Sequence, residues 1–136
     1  MRVGGEMAED FGKLILRLTV GGLLLFHGVH KLLNGLLPIR QMLEAHNIPG
    51  WIAYGVYFGE LVAPVLIVFG LFARLGGMLV VFNMLVAVLL VQSTQLLMLA
   101  PTGGYGLELE MFYLFGGLAV ALLGAGRLRL GPETWN

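Results

Sequence analysis

Four long apolar stretches dominate the 136-residue chain, and each contains at least one charged or strongly polar side chain. They cover approximately residues 14–33, 51–72, 75–91 and 107–125. Each is close to the roughly 17–25 residues that a helix needs to cross a hydrocarbon layer about 30 Å thick. Charged residues make up only 12% of the chain, whereas soluble domains carry about 25%. The sequence therefore predicts an all-α integral membrane protein with four transmembrane helices.

Composition excludes several classes of function. The formal net charge is zero and no basic block occurs, which argues against nucleic acid as a partner. The absence of cysteine excludes disulfides, thiolate catalysis and cysteine-ligated iron–sulfur clusters. Four crossings leave no room for a soluble domain, so residues 1–136 are expected to form one domain. The first twelve residues carry Glu6, Glu9 and Asp10 rather than a basic region, so the first apolar stretch is expected to be an uncleaved anchor.

The positions of lysine and arginine predict that both termini lie in the cytoplasm, because basic residues concentrate in cytoplasmic segments. The cytoplasmic side would hold Arg2, Lys13, Arg17, Arg74, Arg127 and Arg129. The outer side would hold Lys31 and Arg40, together with most of the interfacial aromatic rings. The expected fold is an antiparallel four-transmembrane-helix bundle, N-in and C-in.

Two connections constrain the arrangement of these helices. The second and third stretches are joined by the short turn Phe72-Ala73-Arg74, so they must be antiparallel neighbours. The first connection contains Pro38, which is tolerated at the first position of a helix. The apolar residues from there to about His46 predict a short interfacial helix in the first outer loop.

Polar residues inside the apolar stretches are expected to face the interior, because a charge at membrane depth usually pairs with a partner or lines a functional cavity. At about 100° per residue, four of them share a face with the small residues that let helices pack closely. These four are Arg17, Lys31, Asn83 and Glu110. Glu108 points nearly the opposite way from Glu110 and is expected at the wet outer rim.

Helix depth, at about 1.5 Å per residue, predicts a polar pocket in the outer half of the membrane. It would contain His27, Lys31, Glu60 and Glu110. Glu60 is the strongest candidate, because no neighbour in sequence can solvate it; it is either functional or part of a structural ion pair. Lys31 is its best partner by depth. Pro64 would free the Glu60 carbonyl from its helical bond and either open a cavity or serve packing alone.

Three other ionisable residues are less specific. His27 can relay protons or bind a haem iron, but His27 and His30 point about 60° apart on one helix, which disfavours a bis-histidine haem. His30 is expected at the interface. Arg17 is either a snorkelling anchor near the inner boundary or an inward-facing functional group, and the sequence leaves both readings open.

Several segments in order resemble the DoxX family of small four-helix bacterial membrane proteins. The resemblance consists of Arg17 followed by Phe26-His27-Gly28-Val29-His30-Lys31-Leu32, then Asn47-Ile48-Pro49, Gly59-Glu60-Leu61-Val62-Ala63-Pro64, Gly70-Leu71-Phe72-Ala73-Arg74, Gly103-Gly104-Tyr105 and Gly124-Ala125-Gly126-Arg127. Family members often place a glutamate directly after Gly-Gly-Tyr. Here Gly106 and Leu107 intervene, so either Glu108 or Glu110 is its equivalent.

The resemblance implies a multi-pass protein of the bacterial cytoplasmic (inner) membrane that is associated with redox chemistry, since relatives include quinone-linked thiosulfate oxidoreductase subunits. The expected cofactor is a quinone, with none bound covalently and no metal. The expected partners are the lipid bilayer and either a redox enzyme or a second copy of the chain. Whether the chain itself is catalytic stays open.

These expectations give one leading hypothesis and one alternative. In the first, Glu60 and His27 exchange protons as catalytic residues. The ligand-binding residues would then be Arg17, Lys31, Asn83, Glu110 and Glu108. In the alternative, the same pocket binds or transports a small apolar or lipid-like molecule without catalysis, or the protein is a membrane scaffold.

Overall fold

The computed structural model describes residues 3–91 and 93–136, so Arg2, used above for orientation, lies outside the described residues. The structure is helical, and the all-α prediction is confirmed. Its α-helices are α1 (Val3–Asn34), α2 (Leu37–Ala45), α3 (Ala63–Phe69), α4 (Ala73–Val86) and α5 (Glu108–Leu123). Within the described ranges, extended pairing is limited to an isolated bridge between Leu99 and Tyr105.

Within the part of the chain that the structure describes, three helical segments are long and apolar enough to cross a membrane, which confirms the prediction of a multi-pass membrane protein. They are Gly4–Asn34, Gly50–Phe69 and Ala73–Leu90. The first begins well before the expected residue 14, because the acidic residues there do not end the helix. Glu6 lies in the first turn of α1, where a negative charge interacts favourably with the helix dipole.

The expected fourth span corresponds to α5, which has 16 residues and is shorter than the other three. A fourth crossing therefore stays a prediction. α5 packs tightly on α4 through Gly77 and Gly117, since a methyl group at Gly77 would overlap the Gly117 carbonyl oxygen. Such close backbone contacts through small residues are typical of helices in lipid.

The second span, Gly50–Phe69, is not a regular α-helix. It begins as a 3₁₀-helix at Gly50–Gly55 and contains a π-helical turn at Phe58–Val62 before α3. The Ala63 N–H donates to the carbonyl of Phe58, five residues back. Pro64 has no N–H to donate to the Glu60 carbonyl, which agrees with the predicted irregularity. π-Turns within helices are rare and often occur at functional sites.

The short helix α2 occupies the place predicted for it and has Pro38 in its first turn. Leu43 of α2 packs with Leu36 and Ala53 in a small apolar cluster. This cluster holds α2 over the start of the second span. The interfacial position of α2 stays a prediction.

The C-terminal segment, residues 124–136, folds against the end of the helices that lies away from α2. We call this end the tail end. Leu130 and Gly131 donate backbone hydrogen bonds to Phe69 and Gly70, each of 3.0 Å. Arg127 Nε donates to Asp10 of α1 at 2.7 Å, and this hydrogen bond raises the pKa of the Arg127 guanidinium. The tail thus joins the ends of α1 and α3.

Candidate functional site

A cavity of about 670 Å³ lies between α1, the second span, α4 and α5, beside α2. Its volume falls in the range of about 300–1,000 Å³ that is usual for small-molecule sites. Most of the lining of the cavity is apolar, and α2 contributes Ile39, Met42 and Leu43 to it. Its polar side chains are His27, Lys31, Glu60, Asn83, Glu110 and Tyr113. The structure therefore brings together all four residues of the predicted polar pocket, with Asn83 beside them.

Lys31 and Glu60 form an ion pair across α1 and the second span, and Lys31 Nζ donates to Glu60 Oε2. The Glu60 side chain is 5% exposed and that of Lys31 is 28% exposed. The pairing that helix depth suggested is thus present. Because a buried carboxylate is costly without a partner, the ion pair with Lys31 compensates for the burial of Glu60.

Glycines bring the backbones close enough for this pair to form. A methyl group at Gly28 would overlap the backbone carbonyl oxygen of Glu60, so α1 can approach the π-turn only at a glycine. On the other side, a methyl group at Gly59 would overlap the side chain of Asn83 on α4. Glu60 therefore lies where three helical segments meet, and the local sequence Gly59-Glu60 serves this contact.

His27 packs against Tyr113 of α5 in an edge-to-face arrangement, with ring centroids 5.8 Å apart and ring planes at 84°. This geometry is favoured for aromatic pairs. His27 remains exposed at the cavity, whereas Tyr113 is buried. Sequence reasoning did not identify Tyr113. Tyr113 lies three residues after Glu110 on the same helix. This spacing places both residues on one face, and it is the signal in the sequence that could have identified Tyr113.

The two glutamates of α5 point to different places. Glu110 is half-buried and lines the cavity. Glu108 is exposed and lines a separate apolar groove of about 900 Å³ between α1 and α5. The cavity therefore contains two carboxylates and one ammonium group, so Glu110 is the carboxylate left after Lys31 pairs with Glu60. Among the described residues, no three His, Asp or Glu side chains come together as a metal-binding group.

Arg17 does not reach the cavity. Its side chain is buried at the tail end, where Nε donates to Ile67 and Nη2 to Val68, at 2.9 and 3.0 Å. Nη1 donates to Ala125 at 2.9 Å and to Leu128 at 2.6 Å. These four carbonyls use most of the five donors of the guanidinium. In this arrangement Arg17 fastens the tail to α1 and α3. The two readings that the sequence left open, a snorkelling anchor and an inward-facing functional group, stay predictions.

His30 also lies outside the cavity. It is exposed, and its side chain and carbonyl both contact the Asn34 amide, at 3.2 and 2.9 Å. Of His27 and His30, the cavity lining includes His27 and not His30.

A comparison with known families shows which family the chain belongs to. The model of the DoxX family matches residues 12–93, which is more than half of the chain. The chain belongs to the DoxX family. The DoxX match includes His27, Lys31, Glu60 and Asn83, whereas Glu110 and Tyr113 lie on α5, beyond it.

One curated relative of this DoxX protein extends over nearly the whole chain. It is named "Putative oxidoreductase CatD", from Bacillus subtilis (strain 168), and is 29% identical over 127 residues. The alignment covers 93% of this chain and 90% of the relative, so it includes α5. No solved structure matches the chain.

Proposed function

We propose that this DoxX protein is a quinone-reactive membrane subunit that works with an oxidoreductase partner. The observation that carries the proposal is the cavity itself, where an ion pair, a histidine and a second carboxylate line an otherwise largely apolar space. The oxidoreductase name of the Bacillus subtilis relative is consistent with a redox role.

The residues of the cavity fit a quinone in two respects. Its apolar walls suit a hydrophobic ring and the first part of an isoprenoid tail, and its volume of about 670 Å³ accommodates both. A quinone, when bound, supplies a carrier for two electrons and two protons. The chain has no cysteine to relay electrons, so the partner oxidoreductase would donate or accept them.

Proton exchange is the part that the chain's own residues would perform. Glu60 would accept or release a proton at its carboxylate, next to the Lys31 ammonium group that donates a hydrogen bond to it. The neutral His27 imidazole has one donor and one acceptor nitrogen, so it is suited to pass a proton to or from the ligand. Asn83 and Glu110 would orient the ligand, and the surrounding apolar side chains would limit the entry of water.

The membrane arrangement is part of the proposal. We infer that α5 crosses the bacterial cytoplasmic membrane with the three longer segments, with both termini in the cytoplasm. The lysine and arginine distribution supports it. Reporter fusions at both termini and in the loop at Gly103 test it. A loop reporter that is active in the cytoplasm contradicts this topology.

Purification of the full-length protein into nanodiscs tests the function. We expect quinone to be retained, as measured by extraction and mass spectrometry, and an oxidoreductase to copurify under mild solubilisation. The Glu60→Gln variant should lose quinone-dependent turnover with that partner, whereas Glu108→Gln, outside the cavity, should retain it. Protein that neither retains nor binds quinone contradicts the proposal.

A second function is favoured by a separate observation, the apolar groove of about 900 Å³ between α1 and α5. A groove of this kind, next to an apolar cavity, suits a protein that binds or carries a lipid-like molecule. Identification of the copurified molecules distinguishes the two functions, since a fixed stoichiometry of one lipid and no quinone favours the second.

A further inference from the structure

The buried residue Tyr113 has a hydroxyl group that the proposed proton chemistry does not use. Tyr113 is 7% exposed and lines both the cavity and the neighbouring groove between α1 and α5. The hydroxyls of Tyr57 and Tyr105 donate to the carbonyls of Lys31 and Leu96. Within residues 3–91 and 93–136, the Tyr113 hydroxyl has no such partner. Since buried polar groups are nearly always hydrogen-bonded, the missing acceptor is expected to come from the content of the cavity.

The surroundings of Tyr113 define what that acceptor is. Its ring is held by the edge-to-face contact with His27, and Tyr113 lines the same cavity as the Glu60 carboxylate. Glu60 already accepts a hydrogen bond from Lys31. The ammonium group of Lys31 has three N–H donors, so it keeps donors beyond the one bonded to Glu60, and the Tyr113 hydroxyl adds an O–H donor to the lining of the same cavity. A neutral oxygen acceptor, with no hydrogen of its own to place, suits such a site.

We infer that Tyr113 is a ligand-binding residue whose hydroxyl donates a hydrogen bond to a carbonyl oxygen of the molecule in the cavity. The inference rests on the proposed function and deepens it, because it names the chemical group that the site recognises. Quinones carry such carbonyls, and so do acyl esters of lipids. A site built around a hydrogen bond rejects analogues that lack the bonding group, because its buried polar group is then left unpaired.

Binding of three probes to the full-length protein in phosphatidylcholine nanodiscs tests this inference. The probes are decylubiquinone, a monoacylglycerol with a ten-carbon chain, and decylbenzene, which has no carbonyl. The variants are Tyr113→Phe and the matched control Tyr54→Phe, since Tyr54 is exposed and lies outside the cavity lining. We expect Tyr113→Phe to weaken decylubiquinone binding about threefold to tenfold, the effect of one hydrogen bond. Decylbenzene should bind Tyr113→Phe as weakly as it binds the wild type. The Tyr54→Phe variant should bind all three probes with wild-type affinity.

The outcomes separate this inference from the proposed function. Equal decylubiquinone affinities of wild type and Tyr113→Phe overturn the role of Tyr113 and leave the quinone proposal standing. Wild-type protein that binds only the monoacylglycerol, with an affinity that depends on Tyr113, contradicts the quinone proposal and supports recognition of an ester carbonyl. Decylbenzene binding as tight as that of the carbonyl probes overturns the inference.

A second measurement on the wild type does not depend on how the variant folds. The infrared carbonyl stretch of bound decylubiquinone should shift to lower frequency than in protein-free nanodiscs, because hydrogen bonding weakens the C=O bond. An unshifted band overturns the inference. The phenylalanine variant keeps the ring that packs on His27, so its thermal stability should match the wild type.

Discussion

Lys31 of α1 donates a hydrogen bond to Glu60 of the second span, 29 positions further along the chain. Close packing of Gly28 on the Glu60 carbonyl and of Gly59 on Asn83 fixes the distance between the two segments. The π-turn at Phe58–Val62 then aims the carboxylate at α1. The ion pair is thus a consequence of backbone packing, and its disruption should be separable from unfolding.

Removing either partner of the ion pair should destabilise the protein, whereas removing both should restore part of the loss. We expect Glu60→Gln and Lys31→Gln each to lower the free energy of unfolding by about 1–3 kcal/mol, with less for Glu60→Gln because the ammonium left behind is partly exposed. The double variant should be more stable than the sum of the single losses implies, and it should still lack quinone-dependent turnover. Thermal unfolding and turnover of all four proteins measure this. Strict additivity would show that the pair makes no direct contact in solution.

Gly28→Ala should disturb the site through the backbone. The added methyl group would overlap the Glu60 carbonyl oxygen, and overpacking of this kind costs about 1–3 kcal/mol. Gly22→Ala on the same helix is the matched control, since its methyl group meets nothing within 4 Å and alanine favours the helix. Melting temperatures should fall for the first variant and stay level or rise for the second. Equal melting temperatures contradict the close approach.

Arg17→Lys should lower stability although it keeps the charge. A lysine has three donors on one atom and cannot satisfy the four carbonyls that Arg17 contacts, so we expect a loss of about 2–4 kcal/mol. Arg127→Lys, at an exposed ion pair, should leave stability nearly unchanged, because exposed ion pairs contribute little. Limited proteolysis of the tail and thermal unfolding report the difference. A stable Arg17→Lys protein with weakened quinone binding would instead return Arg17 to the ligand-binding role.

Glu110→Gln and Glu108→Gln form a matched pair on one helix. Only Glu110 lines the cavity, so its replacement should change quinone affinity or the pH dependence of turnover. Glu108→Gln should leave both unchanged. Titration of decylubiquinone between pH 5 and 9 compares the variants with wild type, and an effect confined to Glu108→Gln would reverse the assignment of the two carboxylates.

The sequence predicted the membrane-crossing character, the position of α2 and the pairing of Lys31 with Glu60, because hydropathy and helix depth depend on local spacing. It did not predict the contacts of Arg17, since these depend on a tail that returns to α1 from more than a hundred residues away. Tyr113 was missed for a related reason. Whether the Tyr113 hydroxyl has a hydrogen-bond partner can be seen only from the three-dimensional positions of its neighbours. The apolar stretch predicts a start near residue 14, whereas α1 begins at Val3, because the charged residues before the stretch are compatible with an α-helix.

The four hydrogen bonds of Arg17 affect how a molecule can enter and leave the cavity. Ile67 and Val80 are fully buried, and the Ile67 carbonyl accepts a hydrogen bond from Arg17, so the bundle is tightly packed near the tail end. Release of the tail from α1 would have to precede any passage at this end, so we expect a molecule in the cavity to enter and leave on the side of α2. Such an arrangement suits a site where a molecule is altered or held, rather than a channel that is open at both ends.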